Sequence, residues 1–509
     1  MCAEKLIDFD NCPAGRPIVV GIYGLPGSGK TFVLNGLRQT HGTDCLLTEG
    51  SEVISRLVEG GLAAFQVLDE AQKYSVRELA TRTIVADCMN DGKTAIVTGH
   101  FMLWPNVDND RTAVWTQQDS ETYTHIIYLN TLAETIRERC LQHGGKIRPS
   151  LSVDQLREWQ KEEEAQLRSA CQKNGIIYYA LENEQATLKI IKLLEIFLHG
   201  KHDSHRQEAE ALLDRIVSSS TKSLVSALVL DADKTLSPAD SGRLFWKHVE
   251  RDKIPPSTTD PLKQIFGGPL GYSSAAFLQA ALLYEELAGD KIFENACADV
   301  AAQISLYPDI ASLLLRIQSD EKVMAMVVTC GLRLVWEKVL HRYGLLSTTR
   351  IIGSGPLTGT QVITGQVKAR LVARLQKKYN LRVTAVGDGI LDLEMFAQAD
   401  QAVIVVGDEQ TRSQRMEGEL ARAINDGRFT AYQAVFAERT SPRLSTSSLP
   451  LVDLNSRMFW DGVVLGLPDT ALSVTHFTDT RVSKILATPM RDAANRGPVL
   501  RRAHWQTGQ

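Results

Sequence analysis

The chain has 509 residues, with 56 lysines and arginines against 60 aspartates and glutamates, a net charge of −4 and 44% hydrophobic residues. That length suggests two to four domains, each able to bury a core of its own. A charged fraction of 23% with little net charge excludes the profile of a disordered chain and offers no global positive field for nucleic acid, so a polyanion partner is not expected. The longest apolar runs, Val323–Val328 and Ala402–Val406, are strand-length and far short of a membrane span. The opening Met1-Cys2-Ala3-Glu4-Lys5 lacks the apolar stretch of a secretory signal, and 8 cysteines without a CxxC pair read as reduced thiols. A cytoplasmic protein with no membrane partner is the expectation.

From Pro17 to about Gly200, strand-like runs (Ile18–Tyr23, Cys45–Thr48, Thr94–Thr98, His125–Leu129, Ile176–Ala180) alternate with longer helical patterns, the signature of a parallel sheet with crossover helices. A charged helical segment, His205–Val217, leads into Ser218-Ser219-Ser220-Thr221, which reads as a linker. A second β/α series follows, with strands at Leu224–Leu230, Lys322–Thr329, Val383–Val386 and Ala402–Val406 and a mostly helical span at Pro261–Leu315. The expected fold class is α/β: two tandem three-layer α/β/α domains and a short C-terminal segment. Expected boundaries are 1–200, a linker at 201–221, 222–437 with an inserted cap at about 240–320, a linker at 438–455, and a segment at 456–509.

The first strand runs directly into Gly24-Leu25-Pro26-Gly27-Ser28-Gly29-Lys30-Thr31 and then into a helix, which is GxxxxGK[ST] in its strand–loop–helix setting. Gly24, Gly27 and Gly29 let the backbone curl so that N–H groups, those around Ser28 included, point at phosphate oxygens. The following helix adds the positive end of its dipole. Lys30 is expected to bridge the β- and γ-phosphates of ATP or GTP, and the Thr31 hydroxyl to ligate Mg²⁺. No acidic residue stands at the end of Ala95-Ile96-Val97-Thr98, where many motor ATPases place one. With that gap and its modest size, the domain resembles the small-molecule and nucleoside-monophosphate kinases among P-loop proteins. That resemblance implies a lid, for which Arg137, Arg139 and Arg148 are candidates, with Arg137 and Arg148 assigned to the nucleotide. It also implies an acid facing the acceptor hydroxyl, for which Glu49 is the candidate; a helix cap is the alternative for that residue. His100, Asp69, Glu70 and Asp87 read as surface or structural.

Leu228-Val229-Leu230-Asp231-Ala232-Asp233-Lys234-Thr235 puts two carboxylates at i and i+2 after a buried strand, so that an extended backbone points both the same way. Such a pair can divide the work of one reaction, with one acid taking a phosphoryl group while the other protonates the leaving oxygen and later activates water. Three pieces follow in order. Val327-Val328-Thr329-Cys330-Gly331 offers a hydroxyl and backbone donors, Lys368 supplies a cation, and Val386-Gly387-Asp388-Gly389-Ile390-Leu391-Asp392 supplies hard oxygens for Mg²⁺.

This quartet resembles the haloacid-dehalogenase superfamily over about Lys222–Ala437, with a helical cap on a Rossmann-like core. The resemblance makes Asp231 nucleophile and metal ligand, Asp233 general acid/base beside the metal, Thr329 and Lys368 phosphate binders, and Asp388 and Asp392 the metal's further acids. The inserted cap is similar to that of the phosphoserine-phosphatase branch, whose substrates are small. Departures from that branch are Asp240 in place of Glu nine positions after Asp231, no arginine between Asp252 and Leu315, and Leu391 where Asn is usual. An unidentified small phosphorylated metabolite is therefore expected in place of phosphoserine.

His476-Phe477-Thr478-Asp479-Thr480-Arg481 through Arg491-Asp492 and Pro498–His504 resemble the opening of uracil-phosphoribosyltransferase-like domains, and some fungal proteins join the three modules in this order. With no sequence after Gln509 for a diphosphate loop, no phosphoribosyl transfer is expected; an amphipathic tail docked on the preceding domain is the alternative. Two other functions compete with a kinase-plus-phosphatase. One is polynucleotide end-processing, disfavoured by charge and by the cap; the other is a nucleotide-binding regulator with little turnover.

Overall fold

A computed structural model describes residues 17–103, 112–142, 151–182, 186–198, 203–249, 260–288, 291–357, 361–409, 414–436 and 440–465, with isolated positions at 412 and beyond 488. Contacts divide the chain into Met1–Val464 and Leu465–Gln509. Both sheets lie in the first unit, and nearly all of the 476–504 stretch lies outside the described residues.

The first domain runs β1 (Val19–Tyr23), α1 (Lys30–His41), β2 (Cys45–Glu49), α2 (Gly50–Leu57), α3 (Gly61–Gln66), α4 (Glu70–Asp91), β3 (Thr94–Thr98), β4 (Met102–Leu103), β5 (Thr112–Ala113), α5 (Gln117–Thr122), β6 (His125–Asn130), α6 (Ala133–Gln142), α7 (Val153–Asn174), β7 (Ile177–Glu182) and α8 (Ala186–Leu198). Its sheet is parallel in the order β2-β3-β1-β6-β7, with β4 and β5 as a separate antiparallel pair. Alternation sorts the strands onto two faces: Val19, Val97, Tyr128 and Tyr178 enter one cluster, and Val20, Ile22, Ile96, Ile127 and Tyr179 the other. Helices cover both faces, which is why these strands read as unbroken apolar runs. Asp69 and Ser152 accept backbone N–H bonds as caps of α4 and α7.

The chain continues through α9 (Asp203–Ser218), β8 (Ser226–Leu230), α10 (Ser241–His248), α11 (Pro261–Gly267), α12 (Ser274–Glu285), α13 (Ile292–Gln303), α14 (Pro308–Gln318), β9 (Val323–Leu332), α15 (Arg333–Arg342), β10 (Thr349–Ser354), α16 (Gly365–Tyr379), β11 (Arg382–Gly387), α17 (Leu393–Gln398), β12 (Gln401–Val406), α18 (Gln414–Asn425), β13 (Ala431–Val435) and α19 (Arg457–Leu465). The second sheet is parallel, β10-β9-β8-β11-β12-β13. In each sheet the strand feeding the motif, β1 or β8, sits where successive connections leave in opposite directions, the place where open α/β sheets bind ligands at the strands' carboxyl ends.

Helix α9, in the stretch expected as linker, packs Ala209 and Leu213 on the second domain, and Arg374 pairs with its Asp214 and Glu210 at 2.6 and 2.7 Å. At the other end, Leu449, Leu454, Phe459, Trp460 and Val463 are buried in that domain's clusters, so described residues on both sides of the 455/456 boundary lie against it. Helices α10–α13, with α14 after them, occupy the stretch expected as the cap at about 240–320. Its α12 is buried on several faces: Ala276 and Leu283 enter the second domain's core, Phe277 and Ala281 meet Val362, and Leu282 is buried in the core of the first domain. Among described residues no single helix is long and apolar enough to cross a membrane.

The return after β13 is held by one buried amide. Gln433 donates to the carbonyls of Leu449 and Leu444 at 2.6 and 2.9 Å and accepts from the Arg443 N–H at 2.8 Å. Gln433→Ala strands several buried backbone groups, at about 1–3 kcal/mol for each one left unsatisfied. Urea unfolding of the variant is expected to show a loss of at least about 1–3 kcal/mol, and an unchanged midpoint would contradict it.

Candidate active sites

In the first domain, the turn from β1 into α1 passes through Gly24, Gly27 and Gly29 at φ +145°, +90° and +101°, backbone that side chains with a Cβ rarely adopt. No side chain caps the first turn of α1, leaving a helix N-terminus suited to an anion. Lys30 folds back over the loop, donating to the Gly24 carbonyl and, at 3.0 Å, to that of Leu25. The Ser28 hydroxyl is buried without a hydrogen-bond partner among the described residues. A glycine cradle, a lysine resting on carbonyls and an orphaned hydroxyl fit the triphosphate of ATP or GTP.

Thr31 donates its hydroxyl to Glu49 at 2.8 Å. Glu49, read in the sequence as an acid for the acceptor, thus stands beside the expected Mg²⁺ ligand; it also forms a capping box with Glu52 at the start of α2. Of the lid candidates, Arg139 reaches the loop, donating to the Gly27 carbonyl at 3.2 Å. Arg137 is exposed, and Arg148 lies outside the described residues. Beyond β3, whose end carries no acid in the sequence, Glu163 of α7 accepts from the N–H groups of Phe101 and Met102 at 3.2 and 3.0 Å and is fully buried.

In the second domain, β8 ends at Leu230 and delivers Asp231, 7% exposed, to the carboxyl edge of the sheet. Lys368 of α16, 1% exposed, donates to Asp231 Oδ1 at 2.5 Å and to Asp392 Oδ1 at 2.7 Å. Carboxylate oxygens of Asp231, Asp388 and Asp392 all lie within 4.8 Å of one another. Thr235 donates to Asp388 at 3.4 Å, and Asp392 accepts the Gly389 N–H at 3.0 Å. Three carboxylates facing one lysine leave net negative charge and hard oxygen donors, a set that fits a divalent cation such as Mg²⁺.

Strand β9 bulges after Thr329, since Thr329 pairs with Gly353 but Leu332 with Ser354. The bulge turns the Gly331 N–H onto the Thr329 hydroxyl at 2.9 Å. A Cβ at Gly331 would collide with the Asp233 carboxylate, so that close approach requires glycine. Asp233 accepts the Ser241 N–H at 2.5 Å. Asp240 caps α10 and lies 3.6 Å from Lys234, whose φ of +59° is left-handed. The structure therefore brings Asp231, Asp233, Thr329, Lys368, Asp388 and Asp392 together.

One residue that the sequence did not point to joins them: buried Arg443 donates Nη1–H to the Asp388 carbonyl at 3.2 Å. It stands 55 residues from Asp388, and no spacing or motif flags it.

Burial sets the charge states. It pushes the Asp233 carboxyl up to about 7, helped by Asp240 and Asp231. It raises Asp231 to about 6, against the opposing pull of Lys368, and Asp388 well above the usual carboxylate range, with Asp392 and Asp231 adding to the rise. For Lys368 burial works against the charge, but Asp231 and Asp392 outweigh it and hold the ammonium protonated. Because its folded value lies above the unfolded one of about 4, Asp233 favours folding at low pH. That contribution is lost as pH rises through about 7. In EDTA the melting temperature is expected to fall between about pH 4 and 7, and Asp233→Asn to reduce that slope. An identical slope in the variant would contradict the assignment.

Comparison with known proteins adds two family matches. Residues 23–177 match the model described as an AAA domain, and residues 228–397 match the model of haloacid dehalogenase-like hydrolases. No curated protein matches the chain. Among solved structures, similarity extends to a phosphoserine phosphatase with a phospho-aspartyl intermediate analogue, at 17% identity over 36% of this chain and 87% of that one, TM-score 0.26. It extends also to shikimate kinase from Acinetobacter baumannii with shikimate, at 17% identity over 36% and 96%, TM-score 0.26. A protein of unknown function from Bordetella pertussis Tohama I matches at 15% identity over 41% and 98%, TM-score 0.32. The chain joins, in tandem, a P-loop kinase-like domain and a haloacid-dehalogenase-like hydrolase domain.

Proposed function

We propose that the protein is a two-centre phosphoryl-transfer enzyme. In this reading the second domain hydrolyses a small phosphomonoester through an aspartyl-phosphate on Asp231, and the first binds ATP or GTP and phosphorylates a small acceptor. The observation that carries it is the buried Lys368 bridging Asp231 and Asp392 beside a separately held Asp233.

The Asp231 oxygen not engaged by Lys368 attacks phosphorus, and the phosphorus–ester oxygen bond breaks as Asp233, protonated near neutral pH, gives its proton to the leaving oxygen. Water then attacks phosphorus, yields a proton to Asp233 and releases phosphate from Asp231. Lys368 and the donors around Thr329 offset the charge on the phosphoryl oxygens. Asp231, Asp388 and Asp392 would hold Mg²⁺, which would supply Lewis-acid charge neutralisation of the same oxygens. In the first domain Lys30 and the loop N–H groups would hold the triphosphate, Thr31 and Glu49 would hold a second Mg²⁺, and Arg139, which reaches the Gly27 carbonyl at 3.2 Å, would offset charge on the transferring group. A catalytic aspartate at 7% exposure beneath a helical cap supports a small substrate over a polynucleotide end.

Hydrolysis of p-nitrophenyl phosphate with Mg²⁺ is expected for the wild type and to fall about 10³-fold or more in Asp231→Asn. Equal, negligible release by both while nucleotide still binds would favour the regulatory reading. A clear preference for 3′-phosphorylated oligonucleotides would favour end-processing. Lys30→Ala is expected to weaken ATP binding in calorimetry, and an unchanged affinity would discard the cradle.

A further inference from the structure

One helix belongs to both enzymatic halves. The edge strand β7 of the first sheet would expose unpaired backbone groups on its outer side, but α12 of the cap satisfies them. Gln279 accepts the Tyr178 N–H at 2.7 Å and donates to the Tyr178 carbonyl at 2.9 Å, so its amide takes the place of a neighbouring strand. Glu286, at the end of the same helix, accepts the Ala180 N–H at 2.8 Å with one oxygen and Arg168 at 2.9 Å with the other. Arg168 is 4% exposed and stacks over Tyr178 at 4.4 Å. Breaking these buried, charge-assisted hydrogen bonds would strand Gln279, Glu286 and Arg168 without their partners, a cost that parting apolar surfaces does not carry. Toward the catalytic domain α12 makes apolar contacts: Phe277 and Ala281 with Val362, and Ala276, Ala280, Leu283 and Tyr284 within the cluster that includes Leu230 and Val327.

The second site is largely covered, with Asp231 at 7% exposure and Thr329, Lys368 and Asp392 at 1% while Asp233 and Asp388 are half-buried, so admitting a phosphoester to Asp231 calls for the cap to part from the core. The polar joint ties any movement of α12 to the first domain. Physical connections continue to both sites. The Ser28 carbonyl in the phosphate loop accepts from Thr131, and the Thr131 carbonyl accepts from Gln160, each at 2.9 Å. Gln160 and Arg168 lie on one helix, about 12 Å apart at 1.5 Å per residue. Past the joint, Tyr284 of α12 stacks on Trp246 of α10 at 5.6 Å, and the first residue of α10, Ser241, donates to Asp233.

We infer that nucleotide in the first domain controls closure of the cap over the second site, through the β7–α12 joint. This rests on the phosphatase reading above and adds the regulation of that site. The bistable element is the cap, open or closed, and each ligand biases it only as far as its affinities for the two states differ. Linkage is reciprocal, so a phosphoester closed into the second site changes nucleotide affinity by the same factor.

The test uses the full chain with Mg²⁺, p-nitrophenyl phosphate and the β,γ-imido analogue of ATP. The analogue is expected to shift KM for the ester by about 5-fold or more and to slow amide exchange across 274–286. Gln279→Ala/Glu286→Ala should bind the analogue yet lose both responses, and Glu286→Gln, which keeps the shape of the joint, should weaken them. No change in KM or exchange in the wild type overturns the coupling while leaving the phosphatase reading intact. Responses undiminished in the variants overturn the joint as its route. If the wild type hydrolyses no ester, the phosphatase reading falls, and the exchange measurement still decides whether nucleotide reaches α12.

Discussion

The second domain depends on how buried charge is compensated around Lys368. Asp231, Asp388 and Asp392 are brought within a few ångströms by two separate pieces of chain, the end of β8 and the turn that follows β11. Such a cluster is tolerable only because one ammonium touches two of its members and because a divalent cation can answer the remaining charge. The parallel sheet follows from that need, since it places strand ends, the α16 lysine and the β9 bulge around one point. Burial also raises the Asp233 carboxyl to about 7, the range in which the proposed reaction needs a proton donor.

The two halves are mechanically joined as well as fused in sequence. Edge strands invite aggregation unless covered, and here the cover is supplied by the cap of the neighbouring catalytic unit through Gln279 and Glu286. A helix that serves three cores cannot move for one without consequence for the others. The arrangement gives a physical reason for keeping a P-loop domain and a phosphatase-like domain in one chain even where their substrates differ.

Both motifs were legible in the sequence because each packs its chemistry into a few contiguous residues after an apolar strand: Gly24–Thr31 after β1, and Asp231–Thr235 after β8. Strands β10 and β13 were missed. The first, Thr349–Ser354, mixes Thr, Arg, Gly and Ser, and the second buries Gln433 in the middle of a short run. Choosing Arg137 over Arg139 for the nucleotide is a matter of helical phase: residues two apart point about 200° from each other, and Arg139 faces the loop. Arg443 and the α12 joint are long-range facts, set by how distant segments dock, and no local pattern encodes them.

The central claim is that Asp231 carries phosphorus covalently, and the most direct measurement is acid quenching during turnover of a phosphoester with Mg²⁺, followed by peptide mass spectrometry. A phosphoryl group is expected on the carboxylate of Asp231, absent when that residue is Asn and accumulating when Asp233 is replaced by Asn. Steady hydrolysis with no label at Asp231, or label at another residue, would contradict it.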